Sequence, residues 1–230
     1  MRQLPLALQL PDTAAFANFV PGPNGACVQA LRRAAVKGAA RGIYLYAVAG
    51  SGRSHLLQAA CREARGHGRS AAYVPLAAPE VAPALLEGLE GLDLLCLDDL
   101  DAVAGSPAWE QALFRLYEGL QEQGGTWVAA GPGTPAALGL CLPDLASRLA
   151  WGSIFRLRPL DDDDRREVLR QRARLRGVEL PPETARYLLH HFARDLPALC
   201  RYLDRLDRAS LAAARGRLTI PFVKRVLAGG

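Results

Sequence analysis

Tyr44-Leu-Tyr-Ala-Val-Ala-Gly50-Ser51-Gly52-Arg53-Ser54-His55-Leu-Leu57 is the stretch that decides the fold. An apolar, aromatic-rich run ends in a turn of small residues. An apolar stripe at helical spacing follows, at Leu56, Leu57, Ala60, Cys61 and Ala64. Strand, Gly-rich loop and helix in that order make an anion site. The loop N–H groups converge, and the helix N-terminus adds its partial positive charge. The P-loop pattern G-x-x-x-x-G-K-[ST] is nearly met, with Gly52-Arg53-Ser54 as its last three positions. Two positions depart: Ala47 stands for the first glycine and Arg53 for the lysine. A guanidinium is larger and forked, and does not reproduce the compact ammonium of a P-loop lysine. These residues predict nucleotide binding biased to the diphosphate, with weak hydrolysis by this chain alone.

A second apolar run, Leu92-Asp-Leu-Leu-Cys-Leu-Asp98-Asp99, ends in two acids, as a P-loop protein's Mg²⁺-holding strand does. At 230 residues the chain suits one large or two small domains. Its hydrophobic content of 50% and charged content of 22% are those of an ordinary globular protein. No run approaches the roughly 18 apolar residues of a membrane helix, and the N-terminus lacks the pattern of a signal peptide. Five cysteines, with no C-x-x-C pair, are expected as reduced core residues, which places the protein in the cytoplasm, away from a membrane. The net charge of +5 permits an acidic or nucleic-acid partner without demanding one.

Residues 3–8, Gln3-Leu4-Pro5-Leu6-Ala7-Leu8, precede any packed element. They fit a short linear peptide or a tail strand. In the first reading Gln3 supplies paired amide bonds, Leu4, Leu6 and Leu8 are apolar anchors, and Pro5 favours an extended chain. Asn24 is expected to cap a helix to about Lys37, and Ser106 a helix over Trp109, Ala112, Leu113, Leu116, Tyr117 and Leu120. Strands are expected at 42–48, 70–74, 92–98, 126–130 and 152–157. Helices are expected at 53–64, 79–89 and 143–150. Strands alternating with helices predict a parallel sheet flanked by helices on both faces. From Pro159 the texture turns helical, at about 163–176, 182–193, 195–214 and 219–228. The acids at 161–164 read as a helix start rather than a metal site. The domains expected are a peptide and tether over 1–12, an α/β domain over 13–158 and a small helical domain over 159–230.

A P-loop α/β domain followed by a small helical lid resembles an AAA+ module. Phe16-Ala-Asn-Phe19-Val-Pro-Gly22 resembles the opening box of the bacterial replication initiator DnaA. Leu142-Pro-Asp-Leu-Ala-Ser-Arg148-Leu resembles the segment carrying its inter-subunit arginine. Gly52-Arg-Ser-His-Leu-Leu57, Ala173-Arg-Leu-Arg-Gly177, Leu206-Asp-Arg-Ala-Ser210 and Leu218-Thr-Ile-Pro-Phe-Val-Lys224 are similar to Hda, the family of DnaA-related regulatory inactivators. Residues 3–8 look like that family's sliding-clamp motif.

The resemblance implies that Gly50, Ser51, Gly52, Arg53, Ser54 and His55 line the site of ADP or ATP. It implies Ser54 and Asp98 toward Mg²⁺, and Asp99 in the place of the water-activating acid, shorter than the usual glutamate. Arg148 becomes the arginine finger offered to a neighbour's nucleotide, and Arg194 the lid arginine that reaches the phosphates. Gly131-Pro132-Gly133-Thr134 falls where AAA+ proteins place a polar phosphate sensor, and has no clear one. The implied function is negative regulation of replication initiation. Bound to ADP and to the sliding clamp (the β subunit of DNA polymerase III) on DNA, the chain would promote hydrolysis of DnaA-bound ATP. Its partners would be the clamp, DnaA and, through the clamp, DNA, with homo-oligomerisation open. The alternative is an autonomous AAA+ ATPase, such as a helicase loader or a DNA-remodelling factor.

Overall fold

The computed structural model describes residues 14–39, 41–192, 195–212 and 216–227. The chain divides into two compact units that meet between Arg158 and Pro159. The first is a five-stranded parallel sheet of β1 (Ile43–Tyr46), β2 (Ala71–Pro75), β3 (Leu94–Asp98), β4 (Thr126–Gly131) and β5 (Ser153–Arg156). The strand order is β2-β3-β4-β1-β5. Its helices are α1 (Gly25–Lys37), α2 (Arg53–Gly66), α3 (Pro107–Glu122) and α4 (Pro143–Trp151).

Side-chain alternation along the strands builds one core on each face of the sheet. Ile43, Leu45, Ala71, Tyr73, Leu94, Cys96, Val128 and Ala130 pack with α1 and α2. Tyr44, Ala72, Val74, Leu95, Leu97, Trp127 and Ala129 pack with α3 and α4. Strands covered on both faces read as the nearly continuous apolar runs seen in the sequence. β5, at the edge, is largely exposed. Its entry is tight: a Cβ at Gly152 would stand 2.3 Å from the Arg41 carbonyl, so the chain can turn there only with glycine.

The second unit holds α5 (Asp162–Leu175), α6 (Pro182–His191), α7 (Leu196–Ala212) and α8 (Ile220–Leu227). Leu169, Ala173, Leu188, Leu199, Leu203, Leu206, Leu218, Phe222 and Val223 fill its core. At the head of α5, Asp161 accepts a bond from the Asp164 N–H at 2.8 Å, and acids crowd the first turn, where the helix dipole favours them.

Three local expectations give way. The helix expected over 79–89 is a series of turns with a single 3₁₀ turn, Pro83–Leu86. Pro79 and Pro83 lack the N–H that a helix needs, and Gly88 adopts a positive φ. Asn24 and Ser106 make no capping bond. Asn24 is instead buried: its Nδ2 donates to the Arg158 carbonyl at 3.0 Å, and its Oδ1 accepts from the Arg158 N–H at 2.7 Å. That exchange ties the head of α1 to the chain leaving the sheet. Among the cysteines, all free, 27, 61 and 96 are buried, but Cys141 is exposed and Cys200 half-buried.

Candidate functional site

The chain leaves β1 and turns through residues 47–52 into α2. Gly52, the residue before α2, has φ +92°, a conformation that L side chains rarely adopt, and a Cβ there would meet the Phe19 ring at 2.8 Å. Phe19 thus closes over the loop, and its ring lies 5.5 Å from that of His55. His55 Nε2 is 3.0 Å from the Ala15 carbonyl. The segment before α1 is therefore built onto the loop, with His55 as the join rather than a group aimed at phosphate. Ser51 turns its hydroxyl back to donate to the Val48 carbonyl at 2.8 Å. No side chain caps α2, so its leading N–H groups keep their anion-binding capacity. Ser54 is exposed in its first turn.

Arg53 is mostly buried, its side chain 11% exposed. Its Nη2 donates to Asp99 Oδ1 at 3.4 Å, and its Nη1 is buried without an acceptor. A buried cationic donor left unmet is costly, on the order of 1–3 kcal/mol or more. An anion in the loop would remove that cost. The residues therefore fit a nucleotide phosphate.

Both acids at the end of β3 are engaged. Asp98 is fully buried; its Oδ2 accepts from the Tyr73 hydroxyl at 2.9 Å, and its Oδ1 from the Asp99 N–H at 3.0 Å. Ser54 and Gln58 stand beside the same tyrosine hydroxyl, whose pKa is pushed up by burial and by the neighbouring Asp98. Asp99 is the one non-glycine residue with positive φ among those described, at 54°. Burial and then Asp98 raise its carboxyl, while Arg53 pulls it back. Ser54 and Asp98 suit Mg²⁺ in the usual way for that ion, with one or two protein oxygens and the rest from phosphate and water. Just beyond the neighbouring β4, in the place of a polar sensor, the Gly133 carbonyl accepts from the hydroxyl of Tyr44 on β1 at 2.8 Å. That segment presents backbone, not a charged side chain.

Arg148 lies on α4, away from these groups in sequence and on its own support. Its Nε is 3.1 Å from Glu118 Oε1, and its guanidinium sits 5.1 Å from the Trp151 ring and 5.9 Å from that of Tyr117. A second guanidinium, Arg41, lies 5.5 Å from Trp151. α4 itself is placed by Glu110, a fully buried carboxylate on α3. Glu110 accepts from Gly105 N (2.7 Å), Cys141 N (3.0 Å) and Leu142 N (2.6 Å). Glu110, Tyr73, Glu118 and Trp151 were all missed in the sequence. The cue for Glu110 was an acid one position from the apolar stripe of a strongly amphipathic helix. The clamp-peptide residues Gln3, Leu4, Leu6 and Leu8, and the lid candidate Arg194, lie outside the described residues.

A sequence family described as the bacterial DnaA ATPase domain matches residues 10–156, and one described as the Hda lid domain matches residues 162–227. The chain belongs to the DnaA-related AAA+ family and is of the Hda type. Solved structures agree on the fold. Domain III of the Thermotoga maritima replication initiation protein DnaA superposes with a TM-score of 0.83 at 21% identity, covering 96% of this chain and 98% of that one. AMPPCP-bound DnaA from Aquifex aeolicus gives 0.70 at 22% identity, over 85% of this chain and 65% of that one. The Thermotoga maritima RuvB Holliday junction branch migration motor gives 0.69 at 18% identity, over 96% and 73%. In this Hda-type chain the loop, Asp98 and Asp99 thus occupy a P-loop AAA+ frame. Among the described residues, no helix is long and apolar enough to cross a membrane.

Proposed function

We propose that this chain is a negative regulator of replication initiation that holds ADP, docks on a DNA-loaded sliding clamp and accelerates hydrolysis of ATP bound to DnaA. The observation that supports the reading is a Gly-rich loop whose Arg53 pairs with Asp99, the residue in the place of the water-activating acid. Such a site suits keeping a nucleotide more than turning it over. Gly50, Gly52, Arg53 and Ser54 would hold the phosphates, and Ser54 and Asp98 would hold Mg²⁺, which neutralises phosphate charge when bound. Arg194 would reach the nucleotide from the lid.

The chemistry then belongs to the partner's site. Arg148 would enter beside the γ-phosphoryl group of ATP on DnaA and stabilise charge that builds as the group transfers. Finger arginines contribute roughly 10³–10⁵ in rate in other phosphoryl-transfer systems. Residues 3–8 would dock in a groove of the clamp. Residues 9–13, at most about 18 Å fully extended, would leave the AAA+ module free to find its partner.

The test is turnover of ATP-loaded DnaA with clamp, DNA and this chain. Stimulation should be lost in Arg148→Ala with the fold, bound nucleotide and clamp pull-down retained, and Arg148→Lys should rescue poorly because it lacks the planar fork. Gln3→Ala or Leu6→Ala should remove clamp binding with little change in the unfolding midpoint. Steady ATP hydrolysis of about 1 s⁻¹ by the chain alone, within the ordinary range of enzyme turnover, would refute the regulatory assignment.

A further inference from the structure

The net charge is distributed unevenly. Residues 1–158 carry 13 basic and 13 acidic side chains, whereas residues 159–230 carry 15 and 10. The whole excess of +5 therefore falls on the helical unit. Within it, ion pairing separates neutralised arginines from free ones. On α5, Arg165 pairs with Asp162 and Arg166 with Asp163, while Arg170 and Arg174 share Glu167. Arg176, also held close to Asp204, takes Asp207 at 3.8 Å and so engages both acids in the middle of α7.

What remains on α7 is a stripe of arginines. Arg201, Arg205 and Arg208 are exposed at i, i+4 and i+7 on α7, one face of the helix spanning about 10 Å. None has a carboxylate at ion-pair distance among the described residues. Arg205 donates to the Val226 carbonyl of α8 at 3.4 Å, which brings the end of α8, with exposed Lys224 and Arg225, beside the stripe.

We propose that this face of the helical unit binds the phosphate backbone of duplex DNA. The side chains are mostly arginine, whose fork matches phosphate. A protein-docking patch would be organised around an apolar or aromatic centre. Among the described residues of this unit the large exposed apolar ones are Leu175 and Leu211, on different helices. Single strands are gripped by stacking bases on exposed aromatic rings. The aromatic residues described in this unit, Tyr187, Phe192, Tyr202 and Phe222, are all at least half-buried. Charge without stacking or a base-reading loop predicts sequence-independent contact with duplex. This inference does not depend on the nucleotide, clamp or finger assignments.

The experiment is fluorescence anisotropy of a labelled mixed-sequence duplex against the full chain from 50 to 200 mM salt. Each phosphate contact contributes about −0.9 to the slope of log affinity against log salt, so three arginines are worth about 40-fold across that range. R201Q/R205Q/R208Q should bind at least tenfold more weakly at the low-salt end, with a slope shallower by about 3. R165Q/R166Q/R170Q removes the same charge from arginines already paired, and should change affinity less than threefold. If the triple variant is unstable, R201Q/R208Q, which spares the Arg205 bond to α8, should shift the slope by about 2. The proposal is overturned if the wild-type chain fails to bind duplex, or if the stripe variant matches it in affinity and slope. It is equally overturned if the paired-arginine control loses as much. Tighter binding of a single strand, or equal competition by polyglutamate, would also overturn it.

Discussion

Glu118→Gln removes the carboxylate against which Arg148 rests and leaves α3 and α4 otherwise intact. The two side chains are 34% and 43% exposed, so water screens their 3.1 Å contact. Pairs of this exposure are worth about 0.2–1 kcal/mol. The contacts of Arg148 to the Trp151 and Tyr117 rings persist in the variant, at roughly 0.5–1 kcal/mol each for exposed cation–π pairs. Glu118 therefore supplies only part of the hold. If Arg148 must leave this support to reach ATP on DnaA, the released energy appears as a faster reaction. At about 1.4 kcal/mol per factor of ten, Glu118→Gln should raise stimulation roughly 1.4- to 5-fold at limiting chain concentration. The assay is turnover of ATP-loaded DnaA with clamp and DNA. The advantage over the parent should shrink as salt screens the pair. A tenfold fall in stimulation, with clamp binding and thermal midpoint unchanged, would refute the reasoning and make Glu118 the residue that orients the guanidinium.

Arg53→Lys loses the fork that reaches Asp99, and should raise affinity for ATP relative to ADP; calorimetric titration giving the same ratio in both forms contradicts this. Gly52→Ala forces a strained φ and pushes on Phe19, and is expected to cost about 1–3 kcal/mol and to weaken nucleotide binding, read by thermal unfolding with and without ADP. Glu110→Gln leaves too few acceptors for three backbone donors, and should lower stability by about 3 kcal/mol or more in urea titration at unchanged m-value. Asp93 is held below the ordinary carboxylate range by the hydroxyl and N–H of Ser70. The fold thus favours its ionised form, and that stabilisation is present above the unfolded-state pKa and lost as pH falls through the lower folded value. The stability gap between the parent and Asp93→Asn should therefore close below about pH 4, and a gap constant from pH 7 to 3 would contradict it.

The sheet and its loop were legible because each depends on a short local pattern: apolar runs ending in Gly50-Ser51-Gly52 and in Asp98-Asp99, separated by helical stripes. The contacts that characterise the site depend on pairings far apart in the chain. Tyr73 reaches Asp98 only because β2 lies beside β3, with Pro75 opposite Asp98. No spacing along the chain encodes that neighbour. Asn24 shows the same limit from the other side. Its position before a helix fits a cap, but a carbonyl and an N–H of Arg158 offer both amide atoms a partner at once. The stretch over 79–89 departs from a helix for a local reason: its leucines and alanines suit one, yet proline removes donors where the helix would need them.

Glu110 has an architectural consequence. Its carboxylate grips the N–H groups of Cys141 and Leu142, so α4 takes part of its bearing from α3. Ala136, Ala137 and Gly139 face outward on the span before α4, between the buried Pro135 and Leu138 and this grip. Such a span can lengthen in evolution, or receive a fluorescent reporter at the bench, while the arginine on α4 keeps its station.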